Sequence, residues 1–469
     1  MISLYPDQEE KVNEVRAAMA RYKSILLQSP TGSGKTRMAT YMLEQAVSKG
    51  KRALFTVPRR DLMNQTSDTF EADGVTHGYI AAGRDFNPYS RVHIVLVDTM
   101  ARRLEQLPDK DLVIIDETHF GSNSLDAIIK HYMSRGVWIL GLSATPWKLS
   151  GEGLGKWYQH MVEGKSIKWL IDNKRLSDYR YFRGATNPDL SKISVTAGDY
   201  AKGQIASYME EQGVIIGDCV RDYAARCMGR LHVVRCASIK HSEMTAASFR
   251  NAGIPAIHVD GETPEDERKR IFKAFARREI LVLTFCDLLN FGFDLSQASG
   301  MDVCIESCSD LKPTKSLAGQ MQYWGRALRY KDYPAIINDH VNNWQEHGLP
   351  CADREWSLDD RKQGKKSSER ALPTRQCPSC FFVHTPAPIC PECNHVYQVQ
   401  AREIEETEGE MVELDKNAMR QVKKDARMEQ GKADTLDALI SLAQKRGYKS
   451  PSAWASRVLA GRMMKNARN

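Results

Sequence analysis

Residues 29–36 read Ser-Pro-Thr-Gly-Ser-Gly-Lys-Thr, and they stand between the apolar run 25–27 and the helix-prone segment 37–43. A strand, then a glycine-rich turn, then a helix start brings backbone N–H groups and a helix N-terminus together around an anion. Gly32 and Gly34 let the backbone wrap that anion without side-chain clashes. The sequence therefore predicts a phosphate cradle for a nucleotide at this turn.

Polar side chains of the same turn supply its chemistry. Lys35 reaches the β- and γ-phosphates of a bound nucleotide, and the Thr36 hydroxyl is placed to ligate Mg²⁺. Thr31 and Ser33 lie inside the turn, so we include them in the expected nucleotide-binding set. Ser29 stands where the usual pattern has glycine.

A pair of acids follows a second apolar run. Residues 111–115 are typical of a buried parallel strand, and Asp116 and Glu117 come directly after them. One carboxylate at such a strand end can hold Mg²⁺, and its neighbour can activate water. We therefore expect Asp116 to hold the metal and Glu117 to act as the base.

Composition narrows the class of protein. The chain has 469 residues, enough for about three domains of ~150 residues, and its formal net charge of +7 is compatible with a polyanionic partner. No apolar run reaches the ~18 residues of a membrane-spanning helix, and the N-terminus lacks the layout of a signal peptide. We therefore expect a cytoplasmic protein with no membrane partner.

Strands and helices alternate through the first part of the chain. We expect further strands at 53–57, 93–97 and 137–142, with helical patterns between them. Such alternation is typical of an α/β fold with a doubly wound parallel sheet, which binds ligands at the carboxyl ends of its strands.

Four cysteines form two Cys-x-x-Cys pairs, Cys377 with Cys380 and Cys390 with Cys393, separated by nine residues. This spacing suits a tetrahedral Zn²⁺ site with four thiolate ligands. So short a segment has almost no core, and a metal contributing on the order of 10 kcal/mol would let it fold. We predict a zinc ribbon here, with His384 and His395 as the alternative ligands. The other seven cysteines read as reduced thiols.

Together the motifs resemble a known family. The resemblance is to superfamily 2 helicases of the DExH type, and the segments that carry it are Gln8, the turn at 29–36, Val57-Pro58-Arg59, Asp116-Glu117-Thr118-His119 and Ser143-Ala144-Thr145. It implies an ATP hydrolase that depends on nucleic acid, built from two tandem RecA-like domains. Gln8, upstream of the phosphate turn, can read the adenine edge with its amide.

The resemblance requires a second motor domain, and the later sequence supplies one. We expect its strands at 232–234, 256–259, 279–283 and 302–306. In the family, the helix that here carries Gln322, Arg326 and Arg329 faces the nucleotide across a cleft. Arginines delivered to a transferring phosphoryl group are worth roughly 10³ to 10⁵ in rate, so hydrolysis would depend on closure of the cleft.

Further site residues follow from the same resemblance. Gly292 and Asp294 join the expected nucleotide-binding set. We expect a nucleic-acid strand to be held by its sugar-phosphate backbone across both domains. The expected contacts are Pro58, Arg59, Thr99 and Arg103 in the first domain and Lys240, His241 and Thr284 in the second. Arg235 stands where the family normally has an aromatic residue.

The expected domain organisation has six parts. They are motor domain 1 at 1–165, a connector at 166–215, motor domain 2 at 216–345, a basic linker at 346–375, the zinc ribbon at 376–398, and a charged linker with a helical C-terminal tail at 399–469. The glycine-rich residues 151–155 have no phosphate-loop context, and we interpret them as a hinge or a strand-separating insertion.

The order of motor, zinc ribbon and tail resembles the RadD-like DNA helicases of bacteria and phages. That likeness implies single-stranded or forked DNA as the partner, a role in DNA repair, recombination or phage replication, and a bacterial or phage-infected cell. The basic tail suits replication or repair proteins as well as phosphate.

Three other functions stay open at this point. The motor motifs barely separate a DNA helicase from an RNA helicase. A nucleic-acid clamp that does not hydrolyse ATP and the motor subunit of a restriction-type complex are the other two.

Overall fold

A computed structural model shows two parallel sheets, each covered by helices on both faces, which confirms the expected fold. The structure describes residues 2–107, 109–148, 150–184, 188–288, 295–360, 375–384, 386–397, 428–430, 433–445, 451–452, 455–456 and 458–459. Within these ranges no helix combines the length and the apolar character that crossing a membrane requires.

The first sheet contains seven parallel strands in the order β3-β4-β2-β5-β6-β1-β7. They are β1 (Ser24–Gln28), β2 (Ala53–Val57), β3 (Gly78–Ile80), β4 (Val92–Leu96), β5 (Leu112–Ile115), β6 (Trp138–Ser143) and β7 (His160–Glu163). The helices are α1 (Pro6–Met19), α2 (Lys35–Ser48), α3 (Arg60–Ala72), α4 (Val97–Ala101) and α5 (Asn123–Ser134), with 3₁₀ turns at Leu104–Gln106, Thr118–Phe120 and Leu154–Lys156.

Apolar side chains on both faces hold this sheet in place. In β1, Ile25 and Leu27 join a core cluster with α1 and α2, whereas Leu26 points to the opposite cluster with α5. A strand buried on both faces needs a continuous apolar run, and this is the pattern that the sequence shows. Since β5, β6 and β1 are neighbours, the loops that follow them meet at one edge of the sheet.

The second sheet contains six parallel strands in the order β12-β13-β11-β14-β15-β8. Its strands are β8 (Tyr179–Arg183), β11 (His232–Arg235), β12 (Ala256–Val259), β13 (Val282–Phe285), β14 (Ser307–Asp310) and β15 (Ala335–Asp339), and a separate hairpin contains β9 (Val195–Thr196) and β10 (Asp199–Tyr200). The helices are α6 (Ile167–Asp172), α7 (Lys202–Glu210), α8 (Gly213–Arg226), α9 (Ile239–Asn251), α10 (Glu265–Ala276), α11 (Leu295–Ser299), α12 (Leu317–Ala327) and α13 (Asn343–His347).

Two features of this sheet differ from expectation. The expected connector at 166–215 supplies β8, which pairs with β15 at the sheet edge. The strand expected at 302–306 is wrong, because the sheet uses β14, residues 307–310, instead. The Ser-Cys-Ser-Asp sequence of β14 is polar but fully buried, and side chains of β11 bond it: His232 contacts two of its serine hydroxyls.

Arg235 and Asp310, at the ends of β11 and β14, form a buried ion pair. Arg235 Nε donates to Asp310 Oδ1 at 2.9 Å, and the guanidinium lies 4.5 Å from the centre of the Tyr323 ring. Gln320 Nε2 and Asn343 Nδ2 donate to Asp310 Oδ2 at 3.0 and 2.9 Å. The arginine that replaces an aromatic residue is therefore a structural side chain inside the second domain.

The remaining described segments are small. The antiparallel strands β16 (Arg375–Gln376) and β17 (Val383–His384) belong to the cysteine-rich segment. The described residues from 428 onward belong to a separate unit of the chain, which includes α14 (Leu436–Lys445) with Leu439 and Leu442 buried.

Arg235→Ala should lower the free energy of unfolding of the second domain by about 3–5 kcal/mol, because it leaves the charge of Asp310 buried without its partner. Urea unfolding followed by tryptophan fluorescence measures this. The control is Arg221→Ala, which breaks an exposed ion pair to Asp218 and should cost less than about 1 kcal/mol. Equal losses of unfolding free energy in the two variants would show that Arg235 does not stabilise the second domain through its buried ion pair.

Candidate nucleotide site and metal centre

The loop after β1 curls around the side chain of Lys35. Gly32 and Gly34 have φ of +85° and +86°, a backbone conformation that favours glycine. Lys35 is the first residue of α2, and its Nζ donates to the carbonyl oxygens of Ser29 and Pro30 at 2.9 and 3.2 Å. The loop therefore presents a buried ammonium group and a helix N-terminus at the carboxyl edge of the sheet.

Ser29, the departure from the usual glycine, is built into this loop. Its hydroxyl lies 2.7 Å from Ser33 Oγ, and its N–H donates to the Ser143 carbonyl oxygen at 2.9 Å. Gly164 makes room for it, because a Cβ at position 164 would lie 2.4 Å from Ser29 Oγ. Sequence reasoning missed Gly164, since nothing in the sequence places it beside the loop.

The acid pair lies at the end of β5, two strands from β1. Glu117 has φ of +47°, and its N–H donates to Asp116 Oδ1 at 3.0 Å. Glu117 Oε2 lies 3.3 Å from His119 Nδ1, which is 3.0 Å from Ser143 Oγ. His119 thus connects the acid pair to the Ser-Ala-Thr segment that contacts the phosphate loop.

Burial shapes the electrostatics of these groups. It lowers the pKa of Lys35, and the charges of Glu117 and Asp116 oppose that shift. Burial, and next the charge of Glu117, raise the pKa of Asp116. Burial also lowers the pKa of His119, so that its imidazole is neutral at pH 7. Two close acids and one lysine form a site in which an added cation would be favourable.

Helix α12 of the second domain lies directly against the phosphate loop. A Cβ at Gly325 would lie 2.5 Å from Thr31 Cβ, so only glycine allows this approach. Gln322 and Arg326 are buried on the same helix, and Arg329 is half-buried just beyond it. The structure therefore brings the predicted residues of both domains to one place.

Unsatisfied polar atoms mark the space between the loop and α12. Thr31 Oγ1 and both amide atoms of Gln322 are buried and make no hydrogen bond among the described residues. Buried polar groups normally have partners, so these atoms are suited to a polar ligand. With the Lys35 ammonium and the loop N–H groups, they fit the phosphates of a nucleotide.

Gln8 and Thr36 also lie at this loop. Gln8 Nε2 donates to the Ser33 carbonyl oxygen at 3.0 Å, and its Oε1 accepts from the Tyr5 N–H at 3.1 Å. Gln8 thus anchors the loop to α1. Thr36 is half-buried in the first turn of α2. Gly292 and Asp294 lie outside the described residues.

Residues 175–177, the joint segment, contact both domains, and sequence reasoning missed them. The Arg175 guanidinium stacks 3.4 Å from the centre of the Tyr5 ring. Leu176 lies against the phosphate loop, where a Cβ at Gly32 would be 2.8 Å from its Cδ2. Ser177 Oγ donates to the Arg329 carbonyl oxygen at 3.0 Å. The segment just after α12 is therefore hydrogen-bonded to residues that also contact the loop.

Two of the seven expected nucleic-acid contacts are buried side chains in the structure. His241 is fully buried, its Nδ1 accepts from the Ala237 N–H, and burial lowers its pKa to about 4. Thr284 is fully buried as well, and its hydroxyl donates to the Ser242 carbonyl oxygen at 2.8 Å. Neither side chain has a surface that a strand could touch.

The other five contacts follow the carboxyl ends of strands. They are Pro58 and Arg59 after β2, Thr99 and Arg103 after the neighbouring strand β4, and Lys240 after β11. Arg59, Arg103 and Lys240 are exposed, and Lys240 pairs with Glu210 at 3.1 Å.

The four cysteines of the predicted ribbon form one cluster. Their sulfur atoms all lie within 4.8 Å of one another, with 3.6 Å between Cys377 and Cys393 and 3.7 Å between Cys380 and Cys390. Tetrahedral zinc with Zn–S bonds of ~2.3 Å separates its sulfurs by about 3.8 Å, so the spacing fits. The donor set is a possible zinc site.

The histidines are not part of this cluster. His384 is buried and its Nε2 lies 2.6 Å from the Tyr397 hydroxyl, while the His395 carbonyl oxygen accepts from the Cys390 N–H. The ribbon packs on β8, the edge strand of the second sheet, where the Phe182 and Phe382 rings are 5.4 Å apart. It thereby covers an edge that would otherwise be open.

Two family models match this chain, one in the first domain and one in the second. The family model described as "Type III restriction enzyme, res subunit" matches residues 1–148, and "Helicase conserved C-terminal domain" matches residues 221–331.

Individual relatives extend over most of the chain. It is 33% identical over 399 residues to the "51.5 kDa protein" of a Lactococcus phage (isolate 7-9), covering 83% of each chain. It is 27% identical over 353 residues to IRC3 of Saccharomyces cerevisiae, a protein that carries the name of an ATP-dependent helicase. That alignment covers 70% of this chain and 49% of the yeast protein, so the chain spans about half the yeast relative.

A solved structure shares the fold. The ATP-dependent type ISP restriction-modification enzyme LlaBIII bound to DNA is 16% identical and has a TM-score of 0.53, over 72% of this chain and 28% of that one. The phosphate loop, the acid pair and the arginine helix thus stand on two parallel-sheet domains, the first matched by a restriction-enzyme family and the second by a helicase family. The chain belongs to superfamily 2 of the helicases, of the DExH type, and is an ATP-hydrolysing helicase.

Proposed function

We propose that this helicase acts on DNA, as an ATP-dependent DNA helicase or translocase. The observation that carries the proposal is the seat of α12 on the phosphate loop, at Gly325 and Thr31. A nucleotide on this loop is enclosed by both domains, so its hydrolysis can change how the domains sit together. A strand held by both domains would then be moved in each cycle.

The described residues divide the chemistry between the two domains. Lys35 and the loop N–H groups, from Thr31 to Thr36, would hold the phosphates, and Asp116 with the Thr36 hydroxyl would hold Mg²⁺. When bound, Mg²⁺ neutralises charge on the phosphate oxygens. Glu117 accepts the proton of the attacking water.

The second domain completes the site on the opposite side. Arg326 and Arg329 stabilise the charge on the transferring phosphoryl group, and Gln322 supplies the amide that has no partner within the described residues. The joint segment holds Arg329 through Ser177.

The strand contacts that we propose are Pro58, Arg59, Thr99, Arg103 and Lys240. Because β2 and β4 are neighbours, the first four lie at one edge of the first sheet. Contacts to the sugar-phosphate backbone give strong salt dependence and little sequence preference.

Two findings support DNA as the polymer and a genome-maintenance role. The solved restriction-modification enzyme that shares the fold is bound to DNA, and a relative of similar length is encoded by a phage. Repair, recombination or phage replication in a bacterial or phage-infected cell is consistent with both. We propose the C-terminal tail as the contact for replication or repair proteins.

A second candidate is the motor subunit of a restriction-type complex. The match of residues 1–148 to the res subunit family favours it. This function requires a partner chain that supplies the nuclease.

We also propose that the four-cysteine cluster binds one zinc ion and that the ion keeps the ribbon folded on β8. The support is the sulfur spacing together with the two knuckles, whose turns place Phe381 and Asn394 at φ of +63° and +58°. A segment with this small a core gains its stability from the metal.

Lys35→Ala should abolish ATP turnover while leaving nucleic-acid binding within about twofold, because the lysine is at the phosphate loop and not on the proposed strand path. The measurement is ATPase rate with DNA and RNA strands of equal length, together with strand binding by fluorescence anisotropy.

We expect stimulation by DNA to exceed that by RNA. Stimulation by RNA alone would make the chain an RNA helicase. If the unaltered chain binds the strand fully but has no ATPase activity, the protein is a nucleic-acid clamp. If ATP turnover survives Lys35→Ala, the phosphate loop is not the site of hydrolysis.

Zinc analysis of the purified chain should give about one ion per chain, and Cys390→Ser should remove it. Loss of zinc should also make residues 375–397 sensitive to chymotrypsin, which cleaves after Phe381, Phe382 and Tyr397. The control is Cys304→Ser, which alters a half-buried cysteine outside the cluster and should leave the zinc content unchanged. Zinc content that is unaffected by Cys390→Ser would contradict the site.

A further inference from the structure

Residues 356–360, the strap, run from the second domain back onto the first. The Gly155 N–H donates to the Leu358 carbonyl oxygen at 2.9 Å. The Trp147 indole N–H donates to the Asp359 carbonyl oxygen at 2.9 Å, and the Gly153 N–H donates to Asp360 Oδ1 at 2.8 Å. The strap therefore sits on the loop that follows the Ser-Ala-Thr segment of the first domain.

Glycines make this seat possible. A Cβ at Gly153 would lie 2.1 Å from the Leu358 carbonyl oxygen and 2.4 Å from the Asp359 carbonyl carbon, and a Cβ at Gly155 would lie 2.9 Å from the same Leu358 oxygen. Backbone atoms cannot move aside as a flexible side chain can. The glycine-rich residues 151–155, expected to be a hinge or a strand-separating insertion, thus form a close-fitting seat.

The other end of the strap is fixed to the second domain. Trp356 packs against the core of that domain, and its ring centre lies 5.1 Å from that of Trp147. Just before it, Cys351 Sγ lies 2.8 Å from the Tyr179 hydroxyl of β8. The Arg354 guanidinium donates to four carbonyl oxygens of residues 347–352 at 2.9 to 3.1 Å. The segment is thus anchored in both domains.

The seat is hydrogen-bonded to the catalytic edge of the first sheet. Thr145 Oγ1 donates to the Trp147 carbonyl oxygen at 3.2 Å, and the Leu154 N–H donates to the Pro146 carbonyl oxygen at 3.1 Å. One turn beyond Leu154, the Tyr158 hydroxyl lies 2.7 Å from Thr118 Oγ1. Thr118 directly follows Glu117 in the chain. A short series of hydrogen bonds therefore connects the strap to the acid pair.

We propose that the strap is a positioning element for ATP hydrolysis. It holds the loop after the Ser-Ala-Thr segment, and through Tyr158 the acid pair, in the working arrangement only while the second domain is docked. This inference rests on the proposed roles of Glu117 and Arg326. It predicts that freeing the strap lowers kcat and leaves ATP binding to the phosphate loop intact, since Lys35 does not contact the strap.

Gly153→Ala in the full chain should lower the strand-stimulated kcat by about ten- to a hundredfold, the cost of misplacing a catalytic group by roughly 1 Å. The dissociation constant of a fluorescent ATP analogue should stay within about twofold. The control is Gly217→Ala in α8, where the added Cβ meets nothing within 4 Å. It should behave like the unaltered chain.

A second pair of variants separates positioning from folding. Trp356→Ala should reproduce the loss of kcat, and Trp356→Phe should restore most of it. Circular dichroism shows whether Gly153→Ala or Trp356→Ala unfolds the chain. If one of them does, a third variant, Asp360→Ala, must still lower kcat. Asp360 is exposed, and this substitution removes only its hydrogen bond from the Gly153 N–H.

The outcomes distinguish a failure of the proposed function from a failure of the strap inference. An unaltered chain without strand-stimulated ATPase activity contradicts the proposed function. An active chain whose Gly153→Ala, Trp356→Ala and Asp360→Ala variants keep kcat within about twofold overturns the strap inference alone. A rise in the dissociation constant with unchanged kcat would also overturn it.

Discussion

The contact between Gly325 and Thr31 is the constraint on which the rest of this structure depends. Without a side chain at position 325, α12 can lie on the phosphate loop, and the same helix then carries Gln322 and Arg326 to the loop. Leu176 fills the adjoining space at Gly32, and Ser177 donates a hydrogen bond to the Arg329 carbonyl oxygen just beyond α12. Two separately folded sheets thereby build one site.

The charged groups of this site suit a ligand that carries charges of both signs. The Lys35 ammonium donates to the loop carbonyl oxygens of Ser29 and Pro30, and burial raises the pKa of Asp116. A bound magnesium nucleotide would supply anionic oxygens to the lysine and a cation to the acid. Arg326 of α12, and Arg329 just beyond it, add positive charge on the opposite side. Each domain alone would hold an incomplete set of charges.

Local patterns made the central chemistry predictable from sequence. The phosphate turn, the acid pair and each Cys-x-x-Cys pair are short continuous segments, so the spacing of their residues predicts their local geometry. The expected strand at 302–306 was wrong because β14 is polar, and its burial is satisfied by His232 and Arg235 far away in the chain. The burial of Thr284 could not be predicted for the same reason, since its hydroxyl donates to the carbonyl oxygen of Ser242, which is distant in the chain. Gly164, the joint segment and the strap act through contacts that no local pattern reveals.

The most direct test of the account is ATP turnover by Gly325→Ala, compared with its ATP affinity. The added Cβ would lie 2.5 Å from Thr31 Cβ and must move α12 away from the phosphate loop. We expect kcat to fall by at least about tenfold while the first domain still binds the nucleotide. Turnover equal to that of the unaltered chain would show that the second domain does not complete the site.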